Sequence, residues 1–383
     1  MGKGPLRRTR AAIAAIGTAV LISLAVATPA GAAPEPSDSG SGRLAITLGT
    51  PEKATTLTDT DGDGDGEGGA SAQAIDCAEG FIRLTRTESC SNLKIPVIYT
   101  INGTPAGRAT LHSKVTSTLD PRNRYESKYK VELRLTDPSS WAGWLTNGRV
   151  GFECNYCDVK ESGEQFLFPN QTRTYEFTVS SPGRALAKDS IRPYATLDAP
   201  RHDEGSALIG ETFRPRCDST PRITPVTKGG CVYPDVAAVW VLDTANPRVD
   251  AVAWHVDWAQ RNLDQPWGKP GTRYALHRTF DDTIIDANRD VACGRGVPRP
   301  PPGSGLACDE YPFAQSLEGA SRNPDYSCHF LDGGDNSREG SLRKASLNGQ
   351  RVLEGDAFYV RVLKAAGAVA LPQAMGPVGC GSD

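Results

Sequence analysis

The sequence predicts an α+β protein in which an all-β, sandwich-like region precedes a smaller region that mixes strands and helices. Between residues 76 and 208, short runs of alternating or β-branched residues are separated by Asn-Gly, Asp-Pro and Ser-Pro-Gly turns, a pattern typical of β-sandwiches. From residue 209 to 383, strand-like runs alternate with segments that have the apolar spacing of a helix. A chain of 383 residues is long enough for both domains.

The first 32 residues have the pattern of a signal peptide. Residues 3–10 are basic, residues 11–27 are apolar, and Ala30-Gly31-Ala32 suits cleavage. A membrane anchor is the alternative, but Gly17 and Thr18 interrupt the apolar run. We therefore predict a secreted, extracellular protein with no stable membrane association after cleavage.

Residues 33–75 are predicted to form a disordered, acidic linker rich in Gly, Ser and Pro, because they hold too few large apolar residues to offset the entropy of ordering. The run DTDGDGDGEGG resembles the start of a calcium-binding loop. It has Ala70 where such a loop needs a bidentate Glu, so we favour a solvated linker.

Ten cysteines in an exported chain favour disulfides, although spacing does not determine how they pair. Pairing between sequence neighbours is expected for Cys77 with Cys90, Cys217 with Cys231, and Cys293 with Cys308. Cys154 and Cys157 form the one C-x-x-C and are expected in a tight structural loop rather than a zinc site.

Residues 76–208 contain no cluster of catalytic residue types, and His112 and His202 are isolated in the sequence. This region is predicted to be an accessory or surface-binding module, with cell-wall or glycan contact left open. A net charge of −3 does not indicate a nucleic-acid binder, so any such function must come from a local site. The sequence does not indicate an oligomeric state.

A helix is predicted over NPRVDAVAWHVDWAQRNL, with Asn246 as its cap and Pro247 in its first turn. His255 lies off its apolar stripe and is expected to be structural, or else to reach a site from a supporting helix. The stripe comprises Val249, Val252, Val256, Ala259 and Leu263.

Acidic residues follow this helix at two places. Asp309 and Glu310 are expected at the end of a strand, and SCHFL is expected to form a second strand. GGDN should then form a turn, and SREGSLRKASLNG a helix that ends at Gly349. DAFYVRVL is predicted to be a closing antiparallel strand. Oxygen donors from Asp309, Glu310, Asp335 and Asn336 would suit a hard divalent ion. The alternative is that Asp335 or Asn336 caps the helix and that the acid pair consists of ordinary loop residues.

From RPRCDS onward, the chain resembles the NucA/NucB family of secreted bacterial deoxyribonucleases. The resemblance rests on several motifs in order, among them GGCVYPDV, CDEYPFAQSLEGA, GGDNSREGSL and RVLEGDAFYVRV. It implies a minimal ββα-metal nuclease fold, DNA as substrate, and a divalent ion, Mg²⁺ or Mn²⁺, as cofactor.

The resemblance also implies roles for single residues. Asp309 is similar to the family's general base and Asn336 to a metal-site residue. Glu310, Glu318 and Asp335 match acids of the same motifs, with metal binding or orientation of the site as their roles. Basic residues that could bind a phosphate are Arg289 and Arg338. The alternative for Arg289 is a surface ion pair.

The sequence departs from the family pattern after Asn336. Ser337 stands where the family commonly has Arg, and Glu339 stands where a small residue is usual, so Glu339 is expected to repel DNA. His329, on the second strand, is an alternative base.

The predicted function is a secreted, metal-dependent, sequence-nonspecific endodeoxyribonuclease that hydrolyses extracellular DNA. The alternative is a disulfide-rich surface-binding or adhesion protein with a catalytically inactive nuclease-like domain. A ribonuclease or a toxin would use the same chemistry.

Overall fold

The computed structural model describes residues 43–58, 75–183, 186–223, 228–294, 296–297, 299–300 and 302–364. The predicted signal peptide and the acidic run DTDGDGDGEGG lie outside the described residues. Within these ranges, no helix combines the length and the apolar character needed to cross a membrane.

The described elements are mostly strands, with four helices, which confirms the α+β class. In the first part of the chain they are β1 (Leu44–Leu48), β2 (Thr55–Thr58), β3 (Phe81–Leu84), β4 (Glu88–Ile101), β5 (Thr104–Thr118), β6 (Ser127–Thr136), α1 (Trp141–Trp144), β7 (Asn147–Glu153), β8 (Gln165–Phe166), β9 (Thr172–Val179), β10 (Leu186–Lys188), β11 (Arg192–Asp198), β12 (His202–Asp203), β13 (Gly205–Leu208), β14 (Arg216–Asp218) and β15 (Gly230–Val232). The second part contains β16 (Ala238–Asp243), α2 (Asp250–Asn262), β17 (Leu276–His277), α3 (Asp282–Cys293), β18 (Leu306–Tyr311), β19 (Ser327–Asp332), α4 (Gly333–Gly349) and β20 (Ala357–Leu363).

Three sheets of the described chain build the first hydrophobic core. An eight-stranded sheet runs β12-β1-β4-β5-β6-β9, with β3 joined to β4 and β2 to β3. Sheets β13-β11-β7-β8 and β10-β14-β15 complete it. Alternate side chains of β6, such as Val131, Leu133 and Leu135, are fully buried, because successive strand residues point to opposite faces.

The expectation of a disordered linker over residues 33–75 is wrong for two short segments. β1 pairs with β4 along its whole length, and β2 pairs with β3. Ile46 is buried in the first core. The low average hydrophobicity of residues 33–75 predicts disorder, but the run LAITL within them has enough alternating apolar residues to join an existing sheet.

The hairpin of β14 and β15 packs with the first core, which includes Cys217, Cys231, Tyr233 and Val236. The second core starts at Ala238. The sequence had assigned this hairpin to the C-terminal domain, from residue 209 onward.

The second core is built by α2, the sheet β16-β20-β17, the β18-β19 hairpin and α4. The expected all-antiparallel arrangement is wrong, since β20 pairs in parallel with β16 and not with the hairpin. The turn expected at GGDN is also wrong, because α4 already begins at Gly333. Helix α2 is confirmed, but it begins at Asp250, and Asn246 instead accepts a hydrogen bond from the backbone N–H of Arg248 in the preceding turn.

The disulfides confirm the neighbour pairings. Cys77 is bonded to Cys90, Cys217 to Cys231, and Cys293 to Cys308. Cys154 and Cys157 also form a disulfide, so this C-x-x-C is a structural loop. Cys328 is disulfide-bonded as well.

Buried ion pairs connect the two cores. Arg351 is 2% exposed and contacts the fully buried carboxylate of Asp218 through Nε and Nη2. Arg86 and Arg216 both bind the carboxylate of Asp356. These pairs fix the orientation of the second core against the first.

Candidate active site

The β18-β19 hairpin presents the acid pair on two faces. Asp309 lies opposite His329, and Glu310 lies opposite Cys328. Because neighbouring strand residues point in opposite directions, Asp309 contacts His255 of α2 whereas Glu310 lies beside Cys293 of α3. Both residues nevertheless line one cleft.

Asp309 is 4% exposed and is held by a histidine of α2. Its Oδ2 lies 2.6 Å from His255 Nδ1, and His255 Nε2 lies 2.9 Å from the hydroxyl of Ser327. His255 is itself buried. His255 therefore contacts Asp309 from α2 without lining the cleft, which is compatible with both roles predicted for it.

Glu310 as a residue is partly exposed, but its carboxyl group is enclosed by the protein. Burial raises the pKa of Glu310 to about 7, and the negative charge of Asp309 adds to the rise. Arg343, Arg289 and a hydrogen bond from the backbone N–H of Ala314 oppose it. A carboxyl group with this pKa is poised to ionise when a cation approaches.

A cleft of ≈ 560 Å³ lies between α3, β18, the loop after β18 and α4. Six of its lining residues carry the chemistry, namely Arg289, Asp309, Glu310, Asn336, Arg343 and Lys344. Acidic and basic side chains therefore share one cavity, although the chain as a whole is slightly acidic.

Asn336 enters this cleft from the first turn of α4. Its Nδ2 donates to the carbonyl of Cys308 at 3.0 Å, and its amide oxygen can accept a hydrogen bond or ligate a cation. Asp332 caps the helix by accepting from the backbone N–H groups of Gly334 and Asp335. The alternative in which Asp335 or Asn336 serves as the cap is therefore wrong.

Asp335 lies away from the cleft. It accepts a hydrogen bond from the backbone N–H of Ala251 and shares another with Asp250 at the start of α2. Burial and the neighbouring charge of Asp250 raise the pKa of Asp335. The structure thus brings Asp309, Glu310 and Asn336 to one cleft but does not bring Asp335 to it.

Glu318 is also engaged elsewhere. Its carboxylate accepts from the backbone N–H of His277 at 2.8 Å and lies 2.7 Å from His277 Nδ1. This hydrogen bond raises the pKa of His277. Glu318 holds β17 beside the loop that follows β18.

The remaining candidates differ in position. Arg289 lines the cleft and is half exposed, with Asp286 at 3.6 Å. Arg338 lies 3.9 Å from Asp335 and is not among the residues that line the cleft. His329 is buried, with its ring centroid 5.8 Å from that of His255, and also does not line the cleft.

Glu339 does not face the cleft as an open charge. It is 1% exposed, accepts from Trp240 Nε1 at 3.0 Å and pairs with Arg343. The expected repulsion of DNA by Glu339 is therefore countered by a buried partner one helical turn away.

The cleft carries oxygen atoms of the type that bind divalent ions. Among the described residues, the one group of three acidic, His or Cys ligands is Cys154, Cys157 and Asp189, whose two sulfurs are joined in a disulfide. The cleft instead offers the carboxylates of Asp309 and Glu310 and the amide oxygen of Asn336. Mg²⁺ is commonly held by one or two carboxylates, with water and phosphate oxygens as its other ligands.

A strand hairpin followed by a helix, with acids, an amide and arginines around one cleft, is an arrangement compatible with phosphodiester hydrolysis. Residues 273–361 match the family described as Deoxyribonuclease NucA/NucB. Residues 273–361 are thus identified with the NucA/NucB family, as the motifs within them predicted. The match covers less than a quarter of the chain and begins after His255. No curated protein and no solved structure matches the chain significantly.

Proposed function

We propose that the protein is a secreted, metal-dependent, sequence-nonspecific endodeoxyribonuclease whose C-terminal domain is of the ββα-metal type. One observation carries the proposal: Asp309, Glu310, Asn336 and Arg289 line a single cleft inside the segment that matches the deoxyribonuclease family.

Asp309 is the proposed general base. His255 holds one of its oxygens, which leaves the second oxygen to accept a proton from the attacking water. His329 shares the buried face with His255 but does not line the cleft, so we rank it behind Asp309 as a base.

Glu310 and Asn336 are the proposed ligands of the divalent ion. When bound, Mg²⁺ or Mn²⁺ would stabilise the charge that develops on the phosphate and on the leaving oxygen. Arg289 is the proposed contact for a neighbouring phosphate. Glu318, Asp335 and Arg338 would support the site from outside the cleft, Glu318 through His277 and Asp335 through α2.

Secretion and nonspecific cutting are parts of the same proposal. Four disulfides among the described residues are compatible with an oxidising compartment. Phosphate contacts carry no sequence information, so affinity should fall steeply as salt rises. The β-rich region is proposed as an accessory module.

Incubation of the mature protein with supercoiled plasmid tests the proposal. We expect nicking with Mg²⁺ or Mn²⁺, none with EDTA, and none from Asp309→Asn. Asp203→Asn, at an exposed pair of the first core, is the matched control and should cut normally. Labelled RNA offered beside DNA identifies the substrate.

An inert wild-type protein that still binds cell surfaces would favour the adhesion alternative. Preferential cutting of RNA would instead establish a ribonuclease. Either result would contradict the proposed activity.

A further inference from the structure

We propose that Arg343 binds a backbone phosphate of the DNA in the cleft, an assignment that rests on the deoxyribonuclease function proposed above. Neither the motif pattern nor the family resemblance pointed to this residue. It lies on α4, two turns after Asn336, and lines the same cleft as Arg289.

The guanidinium of Arg343 is fixed from two sides. Its Nε donates to the two carboxylate oxygens of Glu339 at 3.0 Å and 3.3 Å. Its Cζ lies 3.7 Å from the ring centroid of Phe313, within range of a cation–π contact. A planar cation held in this way loses little further entropy when it binds a ligand.

The terminal nitrogens of Arg343 are not used by the described part of the protein. Both of its hydrogen bonds use Nε, and Nη1 is buried without an acceptor among the described residues. The side chain is 8% exposed. A buried donor without a partner destabilises a protein by about 1–3 kcal/mol. A ligand in the cleft that accepts a hydrogen bond from Arg343 would remove this destabilisation.

Gly340 leaves space between the cleft and the guanidinium of Arg343. A Cβ atom added to Gly340 would lie 4.0 Å from Arg343 Nη2, so a larger side chain there would cover this nitrogen. Glycine weakens a helix interior, and at this position its lack of a side chain leaves room beside the guanidinium.

Phosphate is the acceptor that suits this setting. Guanidinium groups bind phosphate oxygens through two parallel N–H groups. Arg289 and Lys344 line the same cleft, and the charge of Arg343 is close enough to Glu310 to oppose the rise of its pKa. A phosphate bound between Arg343 and a cation at Glu310 would be the one that is cut.

Binding can be measured without cleavage in the Asp309→Asn background. We would titrate a short fluorescent duplex in EDTA at several salt concentrations and compare Glu339→Gln with Glu339→Gln/Arg343→Met. Because position 339 is Gln in both proteins, removal of Arg343 does not leave an unpaired Glu339 carboxylate. We expect the double variant to bind about tenfold more weakly or worse, with a slope of log affinity against log salt that is smaller by about 1.

Two further variants keep the buried pair. Gly340→Leu should stabilise helix α4. It should nevertheless weaken duplex binding, because the leucine side chain covers Nη2 of Arg343. Arg343→Lys should bind with intermediate affinity, because it keeps the charge and loses the planar fork. Arg322→Met, at an exposed arginine that does not line the cleft, should bind like its parent.

Equal affinity and equal salt slope for Glu339→Gln and the double variant would overturn the assignment while leaving the nuclease activity in place. If the double variant does not fold, unchanged binding by Gly340→Leu and Arg343→Lys would overturn it in the same way. If the unmodified protein neither cuts plasmid nor binds the duplex, the proposed function fails, and this assignment fails with it.

Discussion

The carboxylate of Asp309 lies 2.6 Å from Nδ1 of His255, and both side chains are almost fully buried. The histidine comes from a helix that precedes the family-matched segment. The acid that we assign as the base is therefore oriented by a part of the chain that the family match does not include.

His255→Gln should lower kcat by about 100-fold or more, because a small displacement of a catalytic group is enough to cause such a loss. KM for DNA should stay nearly constant, since His255 does not line the cleft. Steady-state kinetics on a fluorescent duplex would show whether kcat falls while KM stays constant. His112→Gln, at a pair with Glu79 in the β-rich region, is the control and should leave both constants unchanged. Equal changes in kcat and KM after His255→Gln would contradict a positioning role.

Glu310→Gln should stabilise the metal-free protein at alkaline pH. Burial raises the pKa of Glu310 from 4.5 to about 7, so the folded state binds more protons than the unfolded state between these values, and stability falls as the pH rises through this window. The free energy of unfolding of the variant should exceed that of the unmodified protein by on the order of 2 to 3 kcal/mol at pH 8, and the two should be equal below about pH 4. Urea unfolding in EDTA measures the difference. Glu153→Gln, at an exposed pair, should show no such trend, and a Glu310 variant without a gain at pH 8 would refute the burial argument.

Asp218→Asn should destabilise the protein by about 3 kcal/mol, because it leaves the charge of Arg351 buried without its partner. Since the pair joins the two cores, its loss should also separate their unfolding into two transitions. Calorimetry would detect both effects. Asp203→Asn removes a pair whose side chains are 84% and 57% exposed, so its effect should stay below about 1 kcal/mol. Similar losses from the two substitutions would contradict this account.

Removal of the Cys293–Cys308 disulfide should impair both stability and cleavage. The bond spans 15 residues, for which chain entropy predicts a loss of about 3 kcal/mol. It also ties α3, which carries Arg289, to the strand of Asp309. The double Cys→Ser variant should therefore cut DNA more slowly even at temperatures where it is folded. Serine at Cys154 and Cys157, whose bond spans 3 residues, should leave plasmid nicking intact.

Glu318→Gln should lower the pKa of His277 towards its ordinary value of 6.5, because the hydrogen bond from Glu318 is the main cause of the raised value. The pair contributes all of its stability below pH 6.5, and this is lost as the pH rises through the raised pKa of the folded state. NMR titration of the histidine would measure the shift. The destabilisation caused by Glu318→Gln should be larger at pH 6 than at pH 9, and the reverse order would contradict the assignment.

The sequence alone determined the features that depend on local patterns. The α+β class follows from apolar periodicity, and the resemblance of the C-terminal region to its family follows from motifs in order. An even number of cysteines in a chain with a signal-peptide pattern predicts disulfides, and the pairing of sequence neighbours was an expectation that the structure confirms. Asp309, Glu310, Asn336 and Arg289 were found in this way because each lies within or beside such a motif, and all four line the cleft.

Tertiary structure decided which side chains meet. Asp335 is next to Asn336 in the sequence, yet a helix turns successive residues by about 100°, so it faces α2 while Asn336 faces the cleft. His255 and Arg343 could not be found from spacing, since their partners are brought close by packing of α2 and α4 around the hairpin. LAITL likewise became a strand only because β4 offered it a partner edge. Local composition reports the average tendency of a segment, whereas a contact between distant residues depends on the whole packed arrangement.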